Sequence, residues 1–509
     1  MTAFAEASVA RTERAFSPWW FLAALALVAF VAVGRGENMA LTGAALVVLL
    51  GGMKLLARPG EAPILLYVFI FQWVEAALSI FMANLQKAPI EAIARTPSNM
   101  GLATFLSLAG LVALALGMRA AAGPVRRVDA LWARAQAATI PRNFFLYVYL
   151  VAFVISTGAQ KLADMVPPLS QPLLVFTSLK WAAFVVFTYA TFSARKSSRA
   201  VWLCVFAVSF VLSLGGYFSS FKFIFIYAVI GLAAAGVRMS FVRALGLSLL
   251  SVLVLVFGSV WSEIKPDYRA YVSGGQASQV LTVGYGDQLR ELGRLTQSLD
   301  AASLADGFQK LVMRVAYVEY FGDVLNYVPA VVHFQHGRLW ADAIGRPFMP
   351  RMFFPGKAII DESAETNEYT GLGVAGLEQG TQISIGYMGE SYIDFGPLGM
   401  MAALFGLGAV LGATYRWLMR SRYTRGVLGL GFAASILVSV ADIGMSAAKL
   451  AGALSVAVLV IWLLTRFVVP RLVPRLRADG ALVARALAAQ GRHGLAHAIG
   501  GLPAQPGRS

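Results

Sequence analysis

A single cysteine, four histidines and a charged fraction of only 13% stand out in a chain of 509 residues. Cys204 lies inside an apolar run, so an internal disulfide and a cysteine-based metal site are both excluded, and either redox environment is compatible with the chain. His333 and His336 stand three apart, a spacing that could place two ligands on one helix face. With no cysteine or tight carboxylate cluster to complete a site, no metal is expected. There is no Walker-type phosphate loop and no Rossmann glycine fingerprint set between a strand and a helix, which argues against a nucleotide-driven machine. Nor is there an internal repeat of solenoid period or a clear likeness between the two halves, and this weakens a transporter built from duplicated units.

Hydrophobic residues, in contrast, make up 58% of the chain. Runs near 18–34, 38–57, 62–84, 100–118, 143–159, 171–193, 200–216, 221–237, 243–261, 396–418, 426–444 and 449–468 each approach the roughly 20 residues that cross hydrocarbon as a helix. The expected fold is therefore an all-α polytopic integral membrane protein of about 12 transmembrane helices. One large outer loop containing short helices interrupts them. The segments are 1–261 (nine spans with short loops), 262–395 (the loop), 396–468 (three spans) and 469–509 (a tail).

Charge predicts the orientation. Between Trp261 and Phe395 there are 16 acidic against 10 basic residues, which leaves 32 basic and 10 acidic residues elsewhere. The basic ones recur in alternate short connections, such as Lys54 with Arg58, Arg119 to Arg134, and Arg416 to Arg425. Basic short loops resist translocation, so these connections and both termini are expected in the cytoplasm and the 262–395 loop outside. The net charge of +16 is thus a consequence of topology. No basic folded domain is present to bind nucleic acid.

Chemistry is expected in the outer loop. Helices are predicted over Leu289–Leu299 and Leu311–Val328, and in the second Arg314 points away from Glu319 and Asp323, so it needs a partner from elsewhere. Basic residues on a translocated segment run against the usual bias, which points to an anionic ligand. Guanidinium groups suit one, since they hold phosphate oxygens bidentately. Glu390, in the last outer turn before the Gly396 helix, is the first choice for a general base. Asp394 suits a cap of that following helix and Gly396-Pro397 its start. Within the spans, Lys222 is expected at an outer helix end, and Glu75 with Lys180 and Asp442 with Lys449 are candidate buried ion pairs.

The order Lys265-Pro-Asp-Tyr268-Arg269, then Arg314, then Pro350-Arg351 to Pro355-Gly-Lys357, then Thr381 and Gly389-Glu390-Ser-Tyr392-Ile-Asp394-Phe395-Gly396 resembles the Wzy-type oligosaccharide repeat-unit polymerases of O-antigen and exopolysaccharide assembly. That family carries an Arg-then-Pro-Lys element and a Glu-x-Tyr-x-x-Phe-Gly element before a late span; here Lys357 is followed by Ala358. The resemblance covers roughly residues 215–405. It implies a glycosyltransferase that needs neither metal, nucleotide nor other cofactor. The enzyme would work at the outer face of the bacterial inner membrane on undecaprenyl-diphosphate-linked glycans among the membrane lipids. A chain-length regulator and a flippase are the partners implied. Arg351 and Glu390 would be catalytic, and Arg269, Arg314, Lys357, Lys222 and Tyr392 would bind substrate. A lipid-carrier-dependent O-antigen ligase shares these features and differs only in its acceptor. A polysaccharide or lipid transporter would need a polar path through the spans, where charge is scarce.

Overall fold

The computed structural model describes residues 36–124, 127–166, 170–193, 199–215, 221–237, 241–275, 282–349, 353–354, 356–377, 381–472 and 476, and every regular element among them is helical. Helices α1 (Met39–Leu56), α2 (Ile64–Gln86) and α3 (Met100–Ala122) are followed by α4 (Arg127–Thr139), α5 (Arg142–Met165), α6 (Ser170–Thr177) and α7 (Leu179–Ser193). Then come α8 (Arg199–Leu214), α9 (Phe221–Ala234) and α10 (Phe241–Val272). The interrupting segment holds α11 (Tyr285–Gln297), α12 (Ala301–Val315), α13 (Glu319–Tyr327), α14 (Arg338–Gly345) and α15 (Glu362–Thr370). The chain returns to the apolar body through α16 (Tyr387–Arg420), α17 (Val427–Ser439) and α18 (Ala447–Leu463).

Among the described residues, 8 helical segments are long and apolar enough to cross a membrane. Exposed aliphatic side chains such as Val47, Leu203 and Leu398 cover the outside of the bundle, the last with 87% of its surface open. Lipid is the solvent such a surface suits. Three expected spans are shorter than that: α8 has 16 residues, α9 has 14 and α17 has 13. The run near 18–34 lies outside the described residues.

Two departures from the sequence reading shape the site. First, α10 continues 11 residues past the boundary expected at 261, as a single helix of 32 residues with Pro266 inside it. At about 1.5 Å per residue it is about 48 Å long and outreaches the roughly 30 Å of hydrocarbon. Lys265 and Arg269 therefore ride on the far end of a membrane helix. Second, the helix expected over Leu311–Val328 is two. α12 stops at Val315 and α13 starts at Glu319, because Glu319 is drawn aside by Arg95, whose backbone N, Nε and Nη2 all donate to its carboxylate at 2.5–2.9 Å.

α10, α11 and α12 pack as an up-down-up layer. Leu295 of α11 joins Ile264, Tyr268 and Val272 of α10 in a small core. α12 lies so close along α10 that a Cβ on Gly307 would stand 2.3 Å from the Ser259 carbonyl oxygen. Lys310 pairs with Glu263 at 2.8 Å in the same seam.

The tightest contact in the membrane body joins α3 to α16. A Cβ on Gly117 would stand 2.1 Å from the Phe405 oxygen, one on Gly408 2.1 Å from the Leu114 oxygen, and one on Gly412 2.2 Å from the Met118 oxygen. Small residues four apart allow backbones to approach where lipid supplies no hydrophobic drive between helices. Within α16, Gly396 takes φ 67° and ψ −174°. This non-helical residue, followed by Pro397, separates a short initial helix from the long membrane stretch, consistent with a start at Gly396-Pro397.

Candidate functional site: a basic cleft beside a carboxylate pair

The α10–α12 layer, the α12–α13 junction and the segment before α3 enclose a cavity of about 650 Å³. Its polar lining includes Arg95, Lys265, Lys310, Arg314, Tyr317 and Gln382. An adjoining hollow of about 390 Å³ shares Lys265, Lys310 and Arg314 with it and adds Arg269. Lys265 and Arg269 stand one helical turn apart on α10, so the helix presents both to Arg314 of α12.

Not all of these cations are neutralised. Arg95 is tied to Glu319 at 2.7 Å and Lys310 to Glu263 at 2.8 Å. Lys265 and Arg314 form no ion pair or hydrogen bond among the described residues. Lys222, at the start of α9, stands within electrostatic range of Arg314. Several cations around a cavity, two of them unpaired, suit a polyanion with several oxygens such as a diphosphate.

The structure thus brings together Arg269, Arg314 and Lys222 from the sequence-derived set and places the others elsewhere. Lys357 donates from Nζ to the Arg346 oxygen at 2.6 Å and the Met349 oxygen at 3.1 Å, where it caps a short turn after α14. Arg351 lies outside the described residues. Tyr392 is 8% exposed, stands edge-on to Phe321 and Phe334, and directs its hydroxyl to the Val328 oxygen.

Glu390 is only 3% exposed, and its Oε2 accepts from the backbone N of Ala447 at 2.9 Å. A carboxylate there satisfies an orphan donor at the first turn of α18. Asp394 does cap a helix, but it is α14: its two carboxylate oxygens accept from Leu339 N at 3.1 Å and Trp340 N at 2.8 Å. His333 lies in an irregular stretch and His336 takes φ 53°, so the two share no helix face.

The ion pairs inside the bundle are also rearranged. Lys449 reaches Glu362 at 2.6 Å instead of Asp442, and Ser446 donates to the other oxygen of the same carboxylate. Lys180 lies over the rings of Trp181 and Phe153 and makes no ion pair with Glu75. Glu75 itself faces Asp442, and its Oε2 accepts from the N of the next residue, Ile443, at 2.9 Å. The turn 440–446 that carries Asp442 is pressed onto α16 at Gly386, where a Cβ would stand 2.3 Å from the Ile443 oxygen. Only a glycine, here at φ 85°, permits that approach.

Behind this turn, Glu365 of α15 belongs to a carboxylate cluster with Glu362, Glu368 and Glu390. Burial first, then the neighbouring carboxylates, push Glu365 up from 4.5 to about 7. A native carboxyl that holds its proton more tightly than the unfolded one makes stability fall as pH rises from about 4.5 to about 7. Glu365→Gln removes that fall. Relative to wild type, the variant is expected to gain on the order of 1–3 kcal/mol at about pH 8 and little at about pH 4. Thermal unfolding in detergent at the two pH values measures it, and an equal difference at both would refute it.

Sequence reasoning missed Lys265, Lys310 and Arg95 as parts of the cleft. The four-residue spacing of Lys265 and Arg269 was a usable signal once α10 was extended past 261. Nothing in the sequence joins Glu75 to Asp442, which are hundreds of residues apart. Among known proteins, no curated protein and no solved structure matches the chain. A family model does match, over residues 63–416, which include Glu75, Lys222, Lys265, Arg269 and Arg314 and stop short of Asp442. The chain therefore belongs to the family described as a domain of unknown function, DUF8712.

Proposed function

We propose that this protein is a glycosyltransferase that joins undecaprenyl-diphosphate-linked oligosaccharide repeat units into a longer glycan at the outer face of the bacterial inner membrane. The observation that carries this reading is the basic cleft at the far end of α10. Among the described residues it holds Lys265 and Arg314 without an ion-pair partner, beside Arg269, next to a membrane-embedded helical body. A lipid-linked diphosphate needs both an apolar neighbourhood for its tail and cations for its head.

Transfer breaks the bond between the anomeric carbon and the diphosphate oxygen, and negative charge develops on that oxygen. Cations already fixed in place in the cleft stabilise this charge more than mobile solvent, which must reorient, does. The energy resides in the activated lipid, so no nucleotide enters the step. The basic connections between spans support the cytoplasmic placement of the opposite face and of both termini. A chain-length regulator and a flippase would be its partners.

Purified protein supplied with lipid-linked repeat units, without nucleotide or added metal, is expected to yield lipid-linked glycans of two or more units and free polyprenyl diphosphate. Gel separation of the products and mass spectrometry of the lipid measure both. Transfer to a different lipid or protein acceptor without chain growth would identify a ligase instead. The absence of any transfer would remove the reading.

A further inference from the structure

Resting on that reading of the cleft, we propose that Asp442 is the general base that takes the proton from the acceptor sugar hydroxyl, with Glu75 as its positioning residue. Glycosyl transfer to a hydroxyl releases one proton for each bond made, and a carboxylate within reach is the usual receiver. Two carboxylates beside the cations are already committed: Glu319 to Arg95 and Glu263 to Lys310. Glu390 is buried and tied to Ala447 N.

Asp442 differs in being exposed, while its partner Glu75 is 4% exposed. Asp442 Oδ1 accepts from Gly444 N at 2.8 Å and Glu75 Oε2 from Ile443 N at 2.9 Å, so the turn and α2 hold the pair in one geometry. The exposed member is the one that an acceptor hydroxyl can reach from outside.

The pair adjoins the basic cleft through Tyr317. Its N donates to the backbone carbonyl of Glu75 at 3.2 Å, its ring lies against Gly444, and it lines the same cavity as Arg314. Lys222 stands within electrostatic range of Asp442, Glu75 and Arg314 together and so links the two halves of the site. A further polar group is left open beside the pair. Gln72, one turn before Glu75 on α2, is 0% exposed and donates to the Tyr387 hydroxyl at 2.8 Å, yet its Oε1 has no partner. A buried acceptor without a donor calls for one that the described residues do not supply.

The step then balances. The acceptor O–H gives its proton to the Asp442 carboxylate, and its oxygen forms the new bond to the anomeric carbon. The bond from that carbon to the diphosphate oxygen breaks, and its electron pair leaves on the polyprenyl diphosphate between Arg314 and Lys265. The proton afterwards passes to the departing diphosphate or to water. The other titratable groups facing the pair are Tyr67 of α2, Lys222 of α9, Tyr317, and Tyr387 of α16.

The test uses the full-length protein in nanodiscs with a lipid-linked repeat unit, scoring donor binding and single-turnover transfer across pH. Asp442→Asn keeps the acceptor for Gly444 N. It is expected to lower the transfer rate by about 10²–10⁴-fold, with donor binding within about twofold, and to abolish the limb of the pH profile that rises with pH. Glu75→Gln is expected to shift that limb and slow transfer less. Asp442→Gly supplied with formate should regain part of the rate, a response that a merely misfolded variant cannot show. Transfer by Asp442→Asn within about threefold of wild type, or the large loss falling on Asp306→Asn of the same cavity, would overturn the assignment while leaving the glycosyltransferase reading intact. A wild-type protein that transfers nothing would take both down.

Discussion

Arg314→Ala is expected to slow glycan growth by about 10²–10³-fold, the loss seen when one fixed donor to a developing oxyanion is removed. Three features put this residue first among the cations. It sits at the C-terminal end of α12 and lines both hollows of the cleft, with no ion pair among the described residues. Arg95 and Lys310, by comparison, spend much of their charge on Glu319 and Glu263. Because Arg314 is exposed, its removal should leave the thermal midpoint within a few degrees of wild type.

Arg314→Lys keeps the charge but loses the bidentate fork, and recovery of roughly a tenth of the rate is the expected result. Single lipid-linked units should accumulate in cells that carry the alanine variant. Normal chain-length distributions from such cells would place the diphosphate elsewhere. Lys265→Ala is expected to act in the same direction and, within one charge network, to be less than additive with Arg314→Ala.

Gly412→Val is expected to have the largest effect on stability. Its added Cβ alone would stand 2.2 Å from the Met118 oxygen and 3.0 Å from the Ala122 nitrogen. Backbone cannot rotate out of the way as a flexible side chain can, so α3 and α16 must separate. Overpacking of this kind costs about 1–3 kcal/mol, and more where backbones collide. The contact should report at a distance too, since α16 begins with the residues that brace the 440–446 turn. Loss of stability is therefore expected to be accompanied by loss of transfer. Gly406→Val is the comparison, because a Cβ there meets nothing within 4 Å; it should behave as wild type in detergent unfolding. Equal midpoints for the two valine variants would show that the close approach is not what holds these helices.

Much of the architecture was legible because hydrophobic length is a local property. A run of apolar residues that cannot satisfy its backbone in lipid except as a helix is recognisable without its neighbours, and α1, α2, α3 and α5 fall close to where they were expected. Helix ends were less legible. Lys265, Pro266 and Asp267 read as the end of a span, yet α10 continues because α11 and α12 cover its extension, Leu295 against Ile264, Tyr268 and Val272 and Lys310 on Glu263. The break at residues 316–318 was invisible for the same reason: it depends on Arg95, which captures Glu319 from more than 200 residues away.

Within the candidate site, charge type was legible and partnership was not. Basic residues on a segment expected to be translocated pointed to an anion, and Arg269, Arg314 and Lys222 do lie near one another. The sequence reading makes Glu390 the candidate base and Asp394 a cap of the following helix. Both turn inward, because the first turns of α18 and α14 present backbone N–H groups that a buried carboxylate satisfies.

By itself the sequence determined that this chain is helical and suited to a membrane, since composition and run length leave no other way to satisfy so apolar a backbone in lipid. Only the tertiary structure decided which charges meet. Ionic and hydrogen-bonding partners are chosen by distance in space, and Glu75 with Asp442, Arg95 with Glu319, and Lys265 with Arg314 become neighbours only once helices far apart in the chain have packed.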